Sequence, residues 1–215
     1  MSITRKTSPP VRKTFRHGDL RRALLEAGIE LARKGGPNAV VLREATRRAG
    51  VAPNAAYRHF SSHNDLLQAV RAAALSSLAL AIEAEIAGVR RSRRPAVSAR
   101  ATLRAVGTGY LKFALTETGL FRTAFSVPDQ VEGDVDVAKT GKSGLNPFQL
   151  LGSALDTMVK AGVLPPERRP GAEYLAWAAV HGLAFLVIEG PLSGSSATDV
   201  QALAERLLRM VENGL

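Results

Sequence analysis

The sequence predicts an all-α fold. Apolar residues recur at three- and four-residue spacing through most of its 215 residues, no segment alternates apolar and polar residues as a half-buried strand does, and Gly- and Pro-containing breaks separate the periodic stretches. The length allows one or two domains with a sizeable core.

The elements follow in order. Residues 1–17 lack periodicity and carry Arg5, Lys6, Arg12, Lys13 and Arg16, which predicts a flexible basic arm. From Asp19, Leu20, Ala23, Leu24, Ala27 and Leu31 mark a helical face that Gly35-Gly36-Pro37 ends. A short helix over 42–49 stops at Gly50, and Pro53 suits the first turn of a third helix, broken at Ser61-Ser62. Ser62 and Asp65 have capping-box spacing and open a long helix that runs to about Gly88. After the basic connector GVRRSRRP come helices over about 96–117 and 120–125. Residues 126–146 are polar and read as a long surface loop. Phe148, Leu151, Ala154, Leu155, Met158 and Val159 mark a further amphipathic helix, and two more close the chain at about 170–189 and 197–213.

Charge is unevenly placed. Residues 1–60 hold 13 Lys/Arg against 4 Asp/Glu, whereas residues 61–215 hold 16 against 15. Such a segregated block faces a polyanion or an anionic membrane. It coincides with three short helices, the second and third joined by a glycine-containing turn, which is a helix-turn-helix pattern. Within GVAPNAAYRHF, Gly50 supplies the turn's backbone freedom and Val51 fills the gap between helices. The small residues Ala52, Asn54, Ala55 and Ala56 let the third helix approach a major groove closely. Tyr57 and His59 suit phosphate oxygens, Arg58 suits phosphate or guanine, and Phe60 reads as core. Double-stranded DNA is the partner these residues predict.

The stretch VVLREATRRAGVAPNAAYRHFSSHNDLLQAV (40–70) resembles the DNA-binding segment of the TetR/AcrR family of transcriptional regulators. The shared features are the A-G-V turn, the small-residue start of helix three, Tyr-x-His-Phe and the Asp-Leu-Leu helix start. WAAVHGLAFLVIEG (177–190) is similar to that family's Trp-x-x-x-His-Gly ligand-domain subgroup. The chain departs from the family pattern at Ala45-Thr46, at Ala52 and at His63, where lysine is common; histidine is mostly uncharged near neutral pH and holds phosphate more weakly. The resemblance implies groove contacts from Arg43, Asn54 and Ala55, phosphate contacts from Tyr57, His59 and His63, and either role for Arg58. It also implies a helix-turn-helix domain over 18–64 followed by a helical ligand-binding and dimerisation domain over 65–215.

The second part reads as follows. Tyr174 to Ile188 is apolar nearly all round and must be covered on every side, and Val200, Leu203, Leu207, Leu208 and Val211 form a stripe on the last helix. A homodimer contact through about 170–213 satisfies both; a monomer's central helix is the alternative. In the resembled family the preceding helices enclose a pocket for a small inducer. The corresponding residues here are Tyr110, Phe113, Phe121, Phe125 and Met158, each of which also suits a plain core position. Trp177 and His181 share a helical face, where the imidazole serves either a ligand or a backbone carbonyl.

The expected function is a dimeric repressor of a near-palindromic operator, released by a small lipophilic effector; a ligand-independent or activating regulator of the same fold is the alternative. No enzyme is expected. The four histidines lack metal-binding spacing, and the phosphate-loop-like AKTGKSG has Asp136 where a glycine is required and no preceding strand, so neither metal nor cofactor is predicted. The N-terminus has no apolar stretch of signal-peptide length, the longest nearly apolar run, Tyr174 to Ile188, is too short to span a bilayer, and there are no cysteines, which together predict a cytoplasmic protein without membrane contact.

Overall fold

The computed structural model describes residues 17–90, 92–128 and 132–215. The predicted basic arm, apart from its last residue, lies outside them. Among the described residues there is no strand. The helices are α1 (His17–Gly35), α2 (Leu42–Ala49), α3 (Pro53–Ala56), α4 (His63–Ala87), α5 (Pro95–Thr116), α6 (Thr118–Ala124), α7 (Pro147–Lys160), α8 (Ala172–Ile188) and α9 (Ala197–Gly214). Single 3₁₀ turns lie at Pro37–Ala39, Val137–Lys139 and Pro166–Arg168.

α4 is the strut of the molecule. Ser62 caps it, its hydroxyl accepting from the Asp65 N–H at 3.1 Å. By length and composition alone α4 would suffice to cross a bilayer. Leu66, Val70, Leu78 and Ile82 are instead fully buried against α1, α5 and α6. Each such side chain stabilises the fold by about 1.5–3 kcal/mol, so α4 is the core helix of a helical bundle. α5 lies along α4 and carries α7, α8 and α9 on its other sides, while α6 sits between α1 and α4. One continuous hydrophobic cluster runs from Leu24 on α1 to Val211 on α9.

Two segments differ from the sequence reading. α3 is a single helical turn, not a helix running on to Phe60. The Ala56 carbonyl accepts both the His59 and the Phe60 N–H at 2.9 Å, which closes the chain into a turn. Phe60 drops into the core, with the Arg21 guanidinium 5.2 Å from its ring centroid.

Of the predicted loop after α6, residues 132–146 form a tethered strap. The Glu83 carboxylate accepts from the Lys142 and Ser143 N–H groups, both at 2.8 Å, and from the Ser143 hydroxyl at 2.6 Å. Asp134 pairs with Lys139 at 2.7 Å, and a reciprocal Asn146–Gln149 capping box fixes the start of α7. Two backbone N–H groups of the phosphate-loop-like stretch, those of Lys142 and Ser143, are thus taken up by a carboxylate of the same chain.

Candidate nucleic-acid interface and effector cavity

The turn between α2 and α3 is built on Gly50, whose φ of 70° is left-handed. Its N–H returns to the Arg47 carbonyl at 3.3 Å and the Val51 N–H to the Thr46 carbonyl at 3.1 Å, closing the end of α2. The two departures in helix two prove suited to the core: Ala45 and Thr46 are buried, and the Thr46 hydroxyl donates to the Arg43 carbonyl at 2.7 Å.

Around this turn Arg43, Asn54, Arg58 and His63 are exposed, Tyr57 is 56 % exposed, and Ala55 and His59 are half-buried. The arginines of α2 are not equivalent. Glu44 accepts from Arg47 Nε at 2.8 Å and from Arg48 Nε at 3.1 Å. These two hydrogen bonds hold the Glu44 carboxyl down at about 2. Arg43, which has no ion-pair partner among the described residues, keeps its charge uncompensated.

The second site is a cavity of about 400 Å³ lined by α4, α5, the end of α6, α7, α8, α9 and the strap. Its wall is chiefly apolar and aromatic. Of the predicted residues, Tyr110, Phe125, Trp177 and His181 line it. Phe121 stands one layer behind, edge-on to Tyr110 at 5.7 Å and 5.5 Å from the His181 ring. Phe113 and Met158 are buried core residues off the wall, because the lining stretch of α5 ends at Tyr110 and that of α7 at Leu151. Trp177 Nε1 donates to the Tyr110 hydroxyl at 3.1 Å, and that hydroxyl lies 2.7 Å from His181 Nδ1. Burial raises the Tyr110 pKa above the usual phenol value and lowers that of His181, so both are neutral near pH 7.

Residues 24–70 match the family described as bacterial regulatory proteins, tetR family. Residues 103–211 match the tetracyclin repressor-like C-terminal domain. The chain belongs to the TetR family. As a family member it is a DNA-binding transcriptional regulator with an N-terminal helix-turn-helix domain and a C-terminal helical domain. No curated protein matches it at a significant level of sequence similarity. Among solved structures, a protein with unknown function from Rhodococcus sp. RHA1 is similar, with 25 % identity, 94 % of this chain and 97 % of that one covered, and a TM-score of 0.72. A TetR variant from Acinetobacter baumannii AYE in complex with minocycline shares the fold at 18 % identity, coverage of 94 % and 96 %, and a TM-score of 0.55. So does the TetR-family regulator PfmR from Thermus thermophilus, at 16 % identity, coverage of 89 % and 98 %, and a TM-score of 0.54.

Several wall residues of this TetR-family cavity had no signal in the sequence. Arg104 and Glu212 form a bidentate ion pair across 108 positions, and the Asp134–Lys139 pair comes from the strap. Phe148, 6.2 Å from the Trp177 ring, stood out only as part of the α7 stripe.

Proposed function

We propose that the protein is a dimeric repressor that holds a near-palindromic operator and leaves it when a small molecule fills the cavity. In this reading residues 18–64 bind DNA, through Arg43, Asn54 and Ala55 at the groove, Tyr57, His59 and His63 at the backbone, and Arg58 at either. Residues 65–215 hold the effector and the second copy.

The observation that carries the reading is the connection between cavity and helix-turn-helix. Ala124 and Phe125, at the end of α6, belong to the cavity wall. The other end of α6 abuts α1: a Cβ on Gly119 would lie 2.2 Å from the Ala32 carbonyl oxygen. Arg33 on α1 also pairs with Glu117 at 2.8 Å. A ligand that displaces Phe125 therefore pushes on a short rigid helix whose far end bears on the DNA-binding unit. A ligand shifts such an equilibrium by its differential affinity for the two states. That a fold-mate from Acinetobacter baumannii is in complex with minocycline supports a small-molecule ligand for this fold.

The dimer rests on α8. Leu175 is 65 % and Phe185 52 % exposed, with Ala178 and Gly182 between them on the same face. Among the described residues, nothing outside its own helix backbone lies within 4 Å of where a Gly182 Cβ would be. An apolar face with small residues at its centre suits close approach of a symmetry mate.

The test is binding of the purified chain to the DNA adjoining its own gene. Affinity should exceed that for shuffled DNA by at least about 10³-fold and fall steeply with salt, and the complex should contain two copies of the chain. Equal affinity for both DNAs would leave only a sequence-blind binder.

A further inference from the structure

The cavity wall has polar character at few places. Arg104 is paired with Glu212 and Lys139 with Asp134, so its four formally charged side chains cancel two by two. Asn146 is engaged through both ends of its amide, donating to the Asp134 carbonyl and accepting from the Gln149 N–H. A charged ligand would lose its hydration among apolar groups and gain no spare counterion from this wall.

The aromatic part of the wall has one donor in hand. Trp177 Nε1 is a donor only, and it is taken up by the Tyr110 oxygen. The Tyr110 hydroxyl lies 2.7 Å from His181 Nδ1 and donates to it in the Nε2–H tautomer of the imidazole. That tautomer is the one we assign: it carries the imidazole proton on Nε2, where among the described residues no group accepts it. Beside His181 stand Phe125 and Trp177, their rings 5.0 Å and 6.0 Å from the imidazole, with Phe148 beyond Trp177.

Resting on the reading of this cavity as the effector site, we propose that the ligand is an uncharged aromatic molecule bearing a carbonyl or phenolic oxygen. That oxygen accepts the His181 Nε2–H while the rings lie against Phe125, Phe148 and Trp177. The volume of about 400 Å³ sits within the roughly 300–1,000 Å³ usual for small-molecule sites. The class excludes carboxylates, which lack a counterion here, and it ranks plain hydrocarbons below ketones, because they leave the imidazole donor without an acceptor.

Three probes of matched shape decide it: 2-acetylnaphthalene, 2-ethylnaphthalene and 2-naphthoate, each titrated against the full chain by equilibrium dialysis. Trp177 is the sole tryptophan, so a saturable change in its emission reports a bound probe, and loss of the ketone preference in the His181 variants places it at this wall. The ketone should bind about tenfold tighter than the hydrocarbon or the carboxylate. His181→Phe should remove most of the ketone's preference over the hydrocarbon, and saturable hydrocarbon binding with helical circular dichroism retained shows the cavity intact. His181→Gln, which keeps an N–H donor, should retain part of the ketone preference and serves if the Phe variant does not fold. Naphthoate binding as tightly as the ketone, equal binding of ketone and hydrocarbon, or no saturable binding of any probe would overturn the proposal. Operator release is measured in the same samples. A ketone that binds with the expected preference and leaves DNA bound supports the ligand class and removes the effector reading instead.

Discussion

The Tyr110 hydroxyl bridges Trp177 Nε1 and His181 Nδ1, at 3.1 Å and 2.7 Å, on the inner wall of the cavity. It thereby joins α5 to two successive turns of α8. Tyr110→Phe keeps the ring and removes the bridge, leaving the indole N–H and the imidazole Nδ1 without their partner. Orphaning such groups costs about 1–3 kcal/mol. Urea unfolding at fixed protein concentration should show a lower midpoint with an unchanged slope. An unshifted midpoint would mean that the bridge does not hold α5 to α8.

The imidazole also sets a pH dependence. Burial holds the His181 pKa below its ordinary value near 6.5. The unfolded chain then binds more protons than the folded one between the two values, so stability rises with pH through that window. The contribution is complete above about 6.5 and is lost as pH falls through the lower, folded value. The loss of stability between pH 7 and pH 5 should be smaller in His181→Gln than in the native chain, by urea unfolding at each pH. An identical loss in both would assign the dependence to carboxylates alone.

Much of this was legible in the sequence because it is local. The bounds of α2 follow from the stripe ending at Gly50, and the start of α4 follows from Ser62 and Asp65; both stand where spacing put them. Tyr110, Phe125, Trp177 and His181 follow from helical spacing together with the family resemblance. The remainder depends on contacts distant along the chain. α3 stops after one turn because Phe60 is drawn into a core that its own segment does not contain. The strap looked like solvent-exposed loop because its anchor, Glu83, lies 59 and 60 positions from the groups it holds. Among the α2 arginines, charge counting cannot tell the one left free from the two that Glu44 engages.

Gly119 gives a further prediction. A Cβ there would stand 2.2 Å and 2.4 Å from the Ala32 and Arg33 carbonyl oxygens. Both are backbone atoms within α1 and cannot turn aside as a side chain would. Gly119→Ala must therefore force α6 off α1, at a cost in the range of about 1–3 kcal/mol usual for overpacking. The same variant should release operator DNA at lower effector concentration or without it, because the contact that relays the cavity to the helix-turn-helix is already displaced. Native stability together with native DNA binding would show that α6 carries no such role.

The arginines of α2 can be separated by measurement. Arg43→Ala removes an uncompensated, exposed cation, and operator affinity should fall by about 1–3 kcal/mol if it reads a base edge. Arg47→Ala removes a guanidinium already engaged by Glu44 and should cost less. Tyr57→Phe removes only a hydroxyl from a side chain that is 56 % exposed, so it should weaken DNA binding while the unfolding midpoint stays put. Electrophoretic mobility shifts at two salt concentrations, paired with urea curves, check all three. A larger loss for Arg47 than for Arg43 would reverse the assignment.

The open face of α8 sets the most direct test of assembly. On a monomer, Phe185→Glu would exchange a half-exposed aromatic ring for a solvated carboxylate, and stability would change little. At a two-fold contact the same change places a carboxylate in an apolar seam and, by symmetry, brings its counterpart toward it, so desolvation and like-charge repulsion act together. Light scattering should then report two copies for the native chain and one for Phe185→Glu, with helical circular dichroism retained. Operator affinity should fall with the mass, because each half-site would have to be occupied without help from the other. A native chain that scatters as a single copy at micromolar concentration would remove the dimer, and with it the palindromic operator.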